Sequence, residues 1–532
     1  MTKHIWRLAA GGLVILASGF GGSAYWAGIK AEKTLAEQHR IVAGLSMFKV
    51  KNHSYQRGWF SSTEVTELEL NPEFIGPYLS LLPEQSRNLA NVSLRYTNHV
   101  DHGPLPELSR FGFKPAQAVV RTEFEMSPET RKTLKRFFGD AEPITVTNRL
   151  YLTGGGELQV LVPKFEYEEP LAGVKINWQG FTAKVDYESG YSQYGVDARL
   201  PGLMVDAATK GHVELDGLNW LSNTRPGQTG VKLGASELSI GRVRMDSRES
   251  IPYEIRLNEL VYLLTRVRVG EFINPSGEFK PSTVELKDLH YQISTSEQDE
   301  FINTRGKLDF ATLSINQKAV GPLKLDIAAT HLHGPTLVKL DAALTAIPFN
   351  GADPAALRKQ YVDTVLKEGL PLLTANPRLI VNEFTLKLPE GEVKLNGQLA
   401  LNGLVDADLK KPIDFLGKVD AEAALSVPRP TLEDLVVAQA RNLFVVDATA
   451  ENAPNVEDID ELARNLLATQ LSTWKEQRFI TMNGEQIDTK MEWKGGKLLV
   501  NQHPVLLPWQ EMPPELGLQE GESATVLEKK AP

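Results

Sequence analysis

Alternation of apolar and polar residues is the dominant pattern along this chain of 532 residues. In residues 391–403, GEVKLNGQLALNG, the residues Val393, Leu395, Leu399 and Leu401 share one phase, and polar residues take the other. Period-two alternation with one apolar face predicts half-buried antiparallel strands. The same pattern recurs at 66–70, 158–162, 174–178 and 181–187. The sequence therefore predicts a mainly β fold of curved or elongated antiparallel sheets with an internal repeat.

Helical periodicity is confined to a few stretches, which we expect to brace the sheets. These stretches are residues 31–45, 128–140, 353–373 and 456–480.

An uncharged stretch near the N-terminus predicts a membrane helix. Lys3 and Arg7 precede residues 8–29, LAAGGLVILASGFGGSAYWAGI, and Lys30 follows them. At the helical rise this stretch spans about 30 Å, enough to cross a bilayer core. The alternatives are a signal peptide cleaved near residues 22–24 and a buried helix. Positive residues before the helix favour the cytoplasmic side, so the bulk of the chain is expected beyond the membrane.

The predicted organisation follows from this anchor and from the chain length. It consists of a cytoplasmic end (1–7), a transmembrane anchor (8–29), an N-terminal β-rich region (30–350), a helical hinge (351–377), a C-terminal β region (378–510, with helix 456–480) and a mobile tail (511–532).

Small residues at four-residue spacing inside the anchor predict self-association. On a helix such pairs lie one turn apart and let two backbones pack closely. We therefore expect a homodimer held partly by the anchor, with a monomer as the alternative, since glycine is common in membrane helices. The pairs are Ala17 with Gly21, Ser18 with Gly22, Gly19 with Ser23, and Ala24 with Gly28.

Charge and cysteine content exclude several classes of protein. The net charge is −10, and non-specific nucleic-acid binding requires a basic surface, so no nucleic-acid partner is expected. The absence of cysteine excludes disulfides, thiolate zinc sites and cysteine nucleophiles. The G-x-S-x-G, P-loop, H-E-x-x-H and G-x-G-x-x-G motifs do not occur either. We therefore expect neither an enzyme nor a cofactor.

The tripeptide His-Gly-Pro occurs twice, at 102–104 and 333–335, each time with a second histidine close by. In both copies the histidine before Gly-Pro ends the apolar phase of a strand. The second histidines differ, because His99 takes the opposite phase and His331 the same phase. A duplicated metal site would keep the geometry of its ligand pair. We therefore predict repeated structural turns, formed by His102, Gly103 and Pro104 and by His333, Gly334 and Pro335, with metal binding or a catalytic base as alternatives.

The phrase YQRGWFSS, residues 55–62, combines aromatic residues with one cation. Tyr55, Arg57 and Trp59 share one phase, and Gly58 allows a bulge. An arginine placed over an aromatic ring predicts an internal brace, with ligand contact as the alternative.

Several short phrases resemble, in chain order, the YdgA-type family of bacterial envelope proteins, which includes YihF. They are the N-terminal anchor, YQRGWFSS, His102-Gly103-Pro104, WQG (178–180), GLPLLTANPRL (369–379) and GGKLLVNQHPV (495–505). The resemblance implies a protein anchored in the inner membrane and facing the periplasm, without a known active site. More distantly, strands behind one N-terminal helix resemble AsmA-like envelope proteins, whose sheets form a lipid-lined groove.

These observations favour a non-catalytic envelope protein whose sheets offer an apolar groove to lipid or another amphiphile. A structural or protein-interaction module of the envelope is the alternative, in which the same apolar faces close on each other as a core.

Overall fold

The computed structural model of the protein describes residues 2–44, 48–71, 93–108, 114–169, 173–248, 281–347, 354–443 and 456–507. In these ranges the chain forms 24 antiparallel strands and eight α-helices, so the predicted mainly β fold is confirmed. The chain divides into two compact units, Met1–Glu392 and Val393–Pro532. The predicted tail, 511–532, lies outside the described residues.

The first unit contains five of the described helices and 18 of the strands. Its helices are α1 (Thr2–Ala43), α2 (Pro128–Phe138), α3 (Gly334–Thr345), α4 (Pro354–Glu368) and α5 (Leu370–Thr374). Its strands are β1 (Phe48–Arg57), β2 (Ser61–Leu70), β3 (Ser93–His102), β4 (Ala118–Glu125), β5 (Thr145–Leu150), β6 (Gly156–Val162), β7 (Phe165–Glu169), β8 (Val174–Trp178), β9 (Phe181–Tyr187), β10 (Tyr194–Ala207), β11 (Gly211–Pro226), β12 (Lys232–Ser247), β13 (Ser282–Gln298), β14 (Phe301–Phe310), β15 (Thr312–Ile315), β16 (Lys318–Val320), β17 (Leu323–His333) and β18 (Arg378–Leu388).

These strands pair mostly with their neighbours in sequence. β1 to β6 pair in succession, and β6 pairs with β9. From β9 the order continues through β10, β11, β12, β13, β14, β17 and β18. β10 also pairs with β8, which pairs with β7, and β13 also pairs with β15, which pairs with β16. Sequential antiparallel pairing follows from the short turns between alternating stretches.

Helix α1 supplies the core of the first half of this sheet. The predicted anchor and the predicted helix 31–45 lie in one continuous helix, because no proline interrupts it. Ala31 and Leu35 of α1 are buried together with Val100, Leu150 and Tyr187 of the strands. In the part of the chain that the structure describes, no helix has both the length and the apolar content that a membrane span requires.

The second unit begins within β19 (Gly391–Leu401), the strand with the clearest alternation. Leu467 and Leu471 are buried with Ile480 and Ile487, and this core packs helices on strands. Its remaining strands are β20 (Val419–Pro428), β21 (Thr481–Asn483), β22 (Gln486–Lys494), β23 (Lys497–Val500) and β24 (His503–Val505). Its helices are α6 (Pro412–Leu416), α7 (Arg429–Leu443) and α8 (Val456–Glu476).

The division between the units differs from the predicted hinge. Residues 354–374 of that segment form α4 and α5, and both helices belong to the first unit. The boundary lies after Glu392 instead. Because β18 follows α5 and pairs with β17, the strand pairing places this helical segment inside the first unit.

Candidate functional site

His102 joins the end of β3 to α1. Its Nδ1 lies 3.0 Å from the carbonyl oxygen of Ala24, and its Nε2 lies 3.1 Å from Oγ of Ser62. A carbonyl oxygen only accepts, so Nδ1 carries the ring proton and donates to Ala24, and the Ser62 hydroxyl donates to Nε2. The ring is buried, and burial lowers the pKa of His102. The neutral ring therefore links the helix backbone to the sheet.

Two glycines allow this close approach between helix and strand. A Cβ added to Gly28 would lie 2.6 Å from Cε1 of the His102 ring. Gly103 has a positive φ of 136°, and a Cβ there would lie 3.3 Å from Cβ of Ala24. Ala24 and Gly28, one of the small-residue pairs expected to mediate self-association, therefore face the strands of their own chain.

Arg57 forms a second contact between α1 and the strands. Its Nη1 donates to Oε2 of Glu32 over 2.6 Å, and its guanidinium carbon lies 5.1 Å from the centre of the Tyr25 ring. The Trp59 ring lies 5.2 Å from the same tyrosine ring. Tyr55 packs against the core around Leu35 and Val100. β1 ends at Arg57, so Trp59 lies in the turn to β2 rather than in the strand.

The second His-Gly-Pro copy differs from the predicted turn. His333 ends β17, but Gly334 begins α3 and Pro335 occupies its first turn. Proline suits that position because the first helical N–H groups have no partner within the helix. The preceding His331 has a positive φ of 59° at a bulge in the strand. The two copies are therefore different joints, in contrast to the predicted repeat; Pro104 follows a bend and Pro335 starts a helix.

The residues of the predicted self-association surface lie in α1. Only the backbone is described for Ala17 and Ser18. A Cβ added to Gly21 or Gly22 would meet nothing within 4 Å. These two glycines thus lie outside the contact that α1 makes with the strands.

The long central strands carry apolar side chains in rows that cross the sheet. Side chains opposite each other in antiparallel strands lie on one face, so each row is a continuous apolar strip. None of these residues is fully buried. The first row is Phe165, Trp178, Leu203, Leu215, Val243, Leu286, Leu313 and Val320. The second is Tyr167, Ile176, Val205, Val213, Met245, Val284 and Ile315.

Helix α2 packs at one end of these rows. Phe137 lies 5.4 Å from Phe165 and 4.6 Å from Tyr167, measured between ring centres. The same helix bears four exposed cations, Arg131, Lys132, Lys135 and Arg136. In the described residues, the other helix that packs on β7 to β13 is α1, which contacts Tyr187 and Val185 of β9 and Tyr194 of β10. Helix α2 therefore brings four cations to one end of the apolar strip, where Lys135 also pairs with Asp140.

Three residues that the sequence analysis did not single out meet between α1 and the first strands: His39, His53 and Glu64. One sequence signal could have identified Glu64. It has the same phase as Thr66 and Leu68 in β2, so a carboxylate stands in the buried phase of a strand. His39 follows Leu35 by four residues and shares its helix face.

Comparison with known proteins places the chain in a family but does not supply an activity. No curated protein sequence matches it. The model of one family, described as bacterial protein of unknown function (DUF945), matches residues 1–508. Since this match covers nearly the whole chain, the protein belongs to the DUF945 family of bacterial proteins.

Proposed function

We propose that this chain is a non-catalytic, YdgA-type envelope protein that binds an anionic lipid along the apolar rows of its sheet. In this proposal the N-terminal part of α1 attaches it to the bacterial inner membrane, and the rest faces the periplasm. The observation that carries the proposal is the pair of apolar rows that the described residues leave partly exposed.

The dimensions of the rows favour an acyl chain as the ligand. The first row crosses eight strands, and strands lie about 4.8 Å apart, so it is about 34 Å long. The second row lies two residues away along each strand, about 7 Å to the side. A long and narrow apolar surface suits an extended acyl chain and burial of its methylene groups.

The cationic end of the rows favours an anionic head group. The cations of α2 are exposed, and Phe137 of the same helix contacts the rows. Attraction between exposed cations and a phosphate adds to the burial of the acyl chain. An amphiphile with a phosphate head and apolar chains therefore matches both parts of the surface.

The membrane attachment is supported by the uncharged residues 8–23, which precede Ala24, a fully buried residue of α1. They extend about 24 Å as a helix, and interfacial residues before them can complete the passage. Protease added to spheroplasts tests the orientation. Degradation of the body is the expected result, and protection of the body would contradict it.

Mass spectrometry of the natively purified full chain tests the ligand. We expect phospholipid to remain bound after the detergent has been exchanged for one of a different mass. Protein free of lipid under these conditions would contradict the proposal and favour the alternative, a structural or protein-interaction module of the envelope.

A further inference from the structure

Three different elements contribute one residue each to a cluster formed by His39, His53 and Glu64. His39 comes from α1, His53 from β1 and Glu64 from β2. One potential ligand atom from each residue lies within 4.8 Å of the other two, and in the described residues no other three histidine or acidic side chains meet this way. We propose that these three residues bind one divalent metal ion of the zinc class, and that the ion fastens the C-terminal part of α1 to β1 and β2.

The two strand residues are oriented by neighbours that leave one ligand atom free on each. Nδ1 of His53 lies 3.1 Å from Oγ1 of Thr66, which leaves Nε2 facing Oε1 of Glu64 at 3.8 Å. Oε2 of Glu64 accepts from Nδ2 of Asn98 over 2.7 Å. The hydroxyl of Thr122 in turn donates to Oδ1 of Asn98 over 2.7 Å. Such outer hydrogen bonds are the usual support of metal ligands, because they fix the ring and the carboxylate.

His39, the third proposed ligand, has no comparable hydrogen bond to orient its ring. Nδ1 of His39 is buried and has no hydrogen-bond partner. The His39 ring stacks on the His53 ring, with ring centres 3.6 Å apart and planes at 17°. Parallel rings do not direct two nitrogens at one ion, so one ring turns on binding. Because Thr66 holds His53, the ring that turns is His39, and rotation of this kind is soft for histidine.

The charges around the cluster also favour a cation. Glu64 is 3 % exposed, and an ionised carboxylate in such a place needs a positive partner. A divalent ion would supply the missing positive charge.

The donor set determines the class of ion. Neutral imidazole nitrogens suit zinc, copper, nickel and iron, whereas calcium and magnesium take mainly oxygen. Two histidines and one carboxylate leave a fourth position for water in a tetrahedral zinc site. Because the ligands come from a helix and two strands, binding of the ion stabilises the packing of α1 on the sheet.

Metal binding by the full chain tests the proposal. The protein is purified in detergent without a polyhistidine tag, treated with chelator and dialysed against Zn²⁺ or Co²⁺. We expect one ion per chain, visible Co²⁺ absorption bands of a tetrahedral site and a higher unfolding temperature with Zn²⁺. His39→Gln and Glu64→Gln should each weaken binding at least tenfold, and Thr66→Val should weaken it about 10- to 100-fold.

The matched control is His99→Gln. His99 also lies 3.1 Å from a carboxylate, that of Glu123, but both side chains are exposed. This variant should bind the ion as the wild type does. The proposal is overturned if the folded wild type binds no ion, or if His39→Gln and Glu64→Gln retain wild-type binding while circular dichroism shows that they are folded.

Discussion

The ring of His102 occupies the space that a side chain on Gly28 would need, since an added Cβ would lie 2.6 Å from the ring. The ring is held there by hydrogen bonds at both nitrogens, to Ala24 and to Ser62. It therefore has little freedom to move aside. Gly28 thus sets how closely α1 approaches the end of β3.

Substitution of Gly28 by alanine should destabilise the first unit. Overpacking of this kind costs about 1–3 kcal/mol, which exceeds the gain of about 1 kcal/mol in helix propensity. Gly21→Ala is the matched control, because a Cβ there meets nothing within 4 Å. We expect the urea unfolding midpoint to fall for Gly28→Ala and to stay level or rise for Gly21→Ala. Equal midpoints for the two variants would contradict the contact.

The lowered pKa of His102 predicts a dependence of stability on pH. Burial lowers this pKa from the ordinary value of 6.5, so the unfolded chain takes up the proton at a higher pH than the folded chain. The contribution is present above about pH 6.5 and is lost as the pH falls through 6.5 towards the lowered pKa. Urea unfolding between pH 7.5 and 5 should show a smaller pH-dependent loss for His102→Asn than for the wild type. An identical loss in both proteins would assign the effect to other groups.

Arg57 should contribute modestly to the position of α1. Its ion pair with Glu32 and its place over Tyr25 are partly exposed, and such contacts contribute about 0.5–1 kcal/mol. Arg57→Met should raise the rate of amide hydrogen exchange in α1 near Tyr25. Arg95→Met is the control, because Arg95 pairs with Glu125 at an exposed position and has the opposite phase in β3 to Val100 and His102, which pack toward α1. Faster exchange in α1 of the control would argue against a local effect.

A charged side chain introduced into the apolar rows should reduce the amount of lipid that the protein binds. Val213 and Met245 face each other across β11 and β12 and are 37 % and 43 % exposed. A glutamate at either position puts a carboxylate against the acyl chain, which is unfavourable. Native mass spectrometry of Val213→Glu and Met245→Glu should show less phospholipid than the wild type.

The control for the rows is Leu466→Glu. Leu466 is an exposed leucine of α8, remote in sequence from the rows, so the same change in charge should leave lipid binding unaltered. Lipid loss in this control as well, or full retention in both row variants, would count against the rows as the binding surface.

Self-association through the anchor is a prediction that can be tested by substituting Ser18 and Gly22. Replacing both by isoleucine should weaken crosslinking between full-length copies, because bulky side chains keep two helix backbones apart. Leu16→Ile is the control, since position 16 lies about half a turn away around the helix. If the double variant crosslinks like the wild type, the contact lies elsewhere, and if the wild type does not crosslink there is no dimer.

The sequence by itself predicted the strands, because a half-buried strand needs apolar residues at every second position. The stretches 158–162, 174–178 and 181–187 lie within β6, β8 and β9. The helix at 128–140 was predicted equally well, since Gly139 ends it with a positive φ of 62°. α7 was missed, because its adjacent valines weaken the helical signal and its packing against α8 stabilises it.

Tertiary structure alone decided which partner each chemical group meets. The spacing of Ala24 and Gly28 indicates a flat helix surface, but a spacing does not distinguish a second chain from His102 of the same chain. Likewise the phase of Glu64 indicates burial, whereas its meeting with His39 depends on how α1 crosses β1 and β2. Local periodicity records which side of an element is buried, and the packing of distant segments determines what covers it.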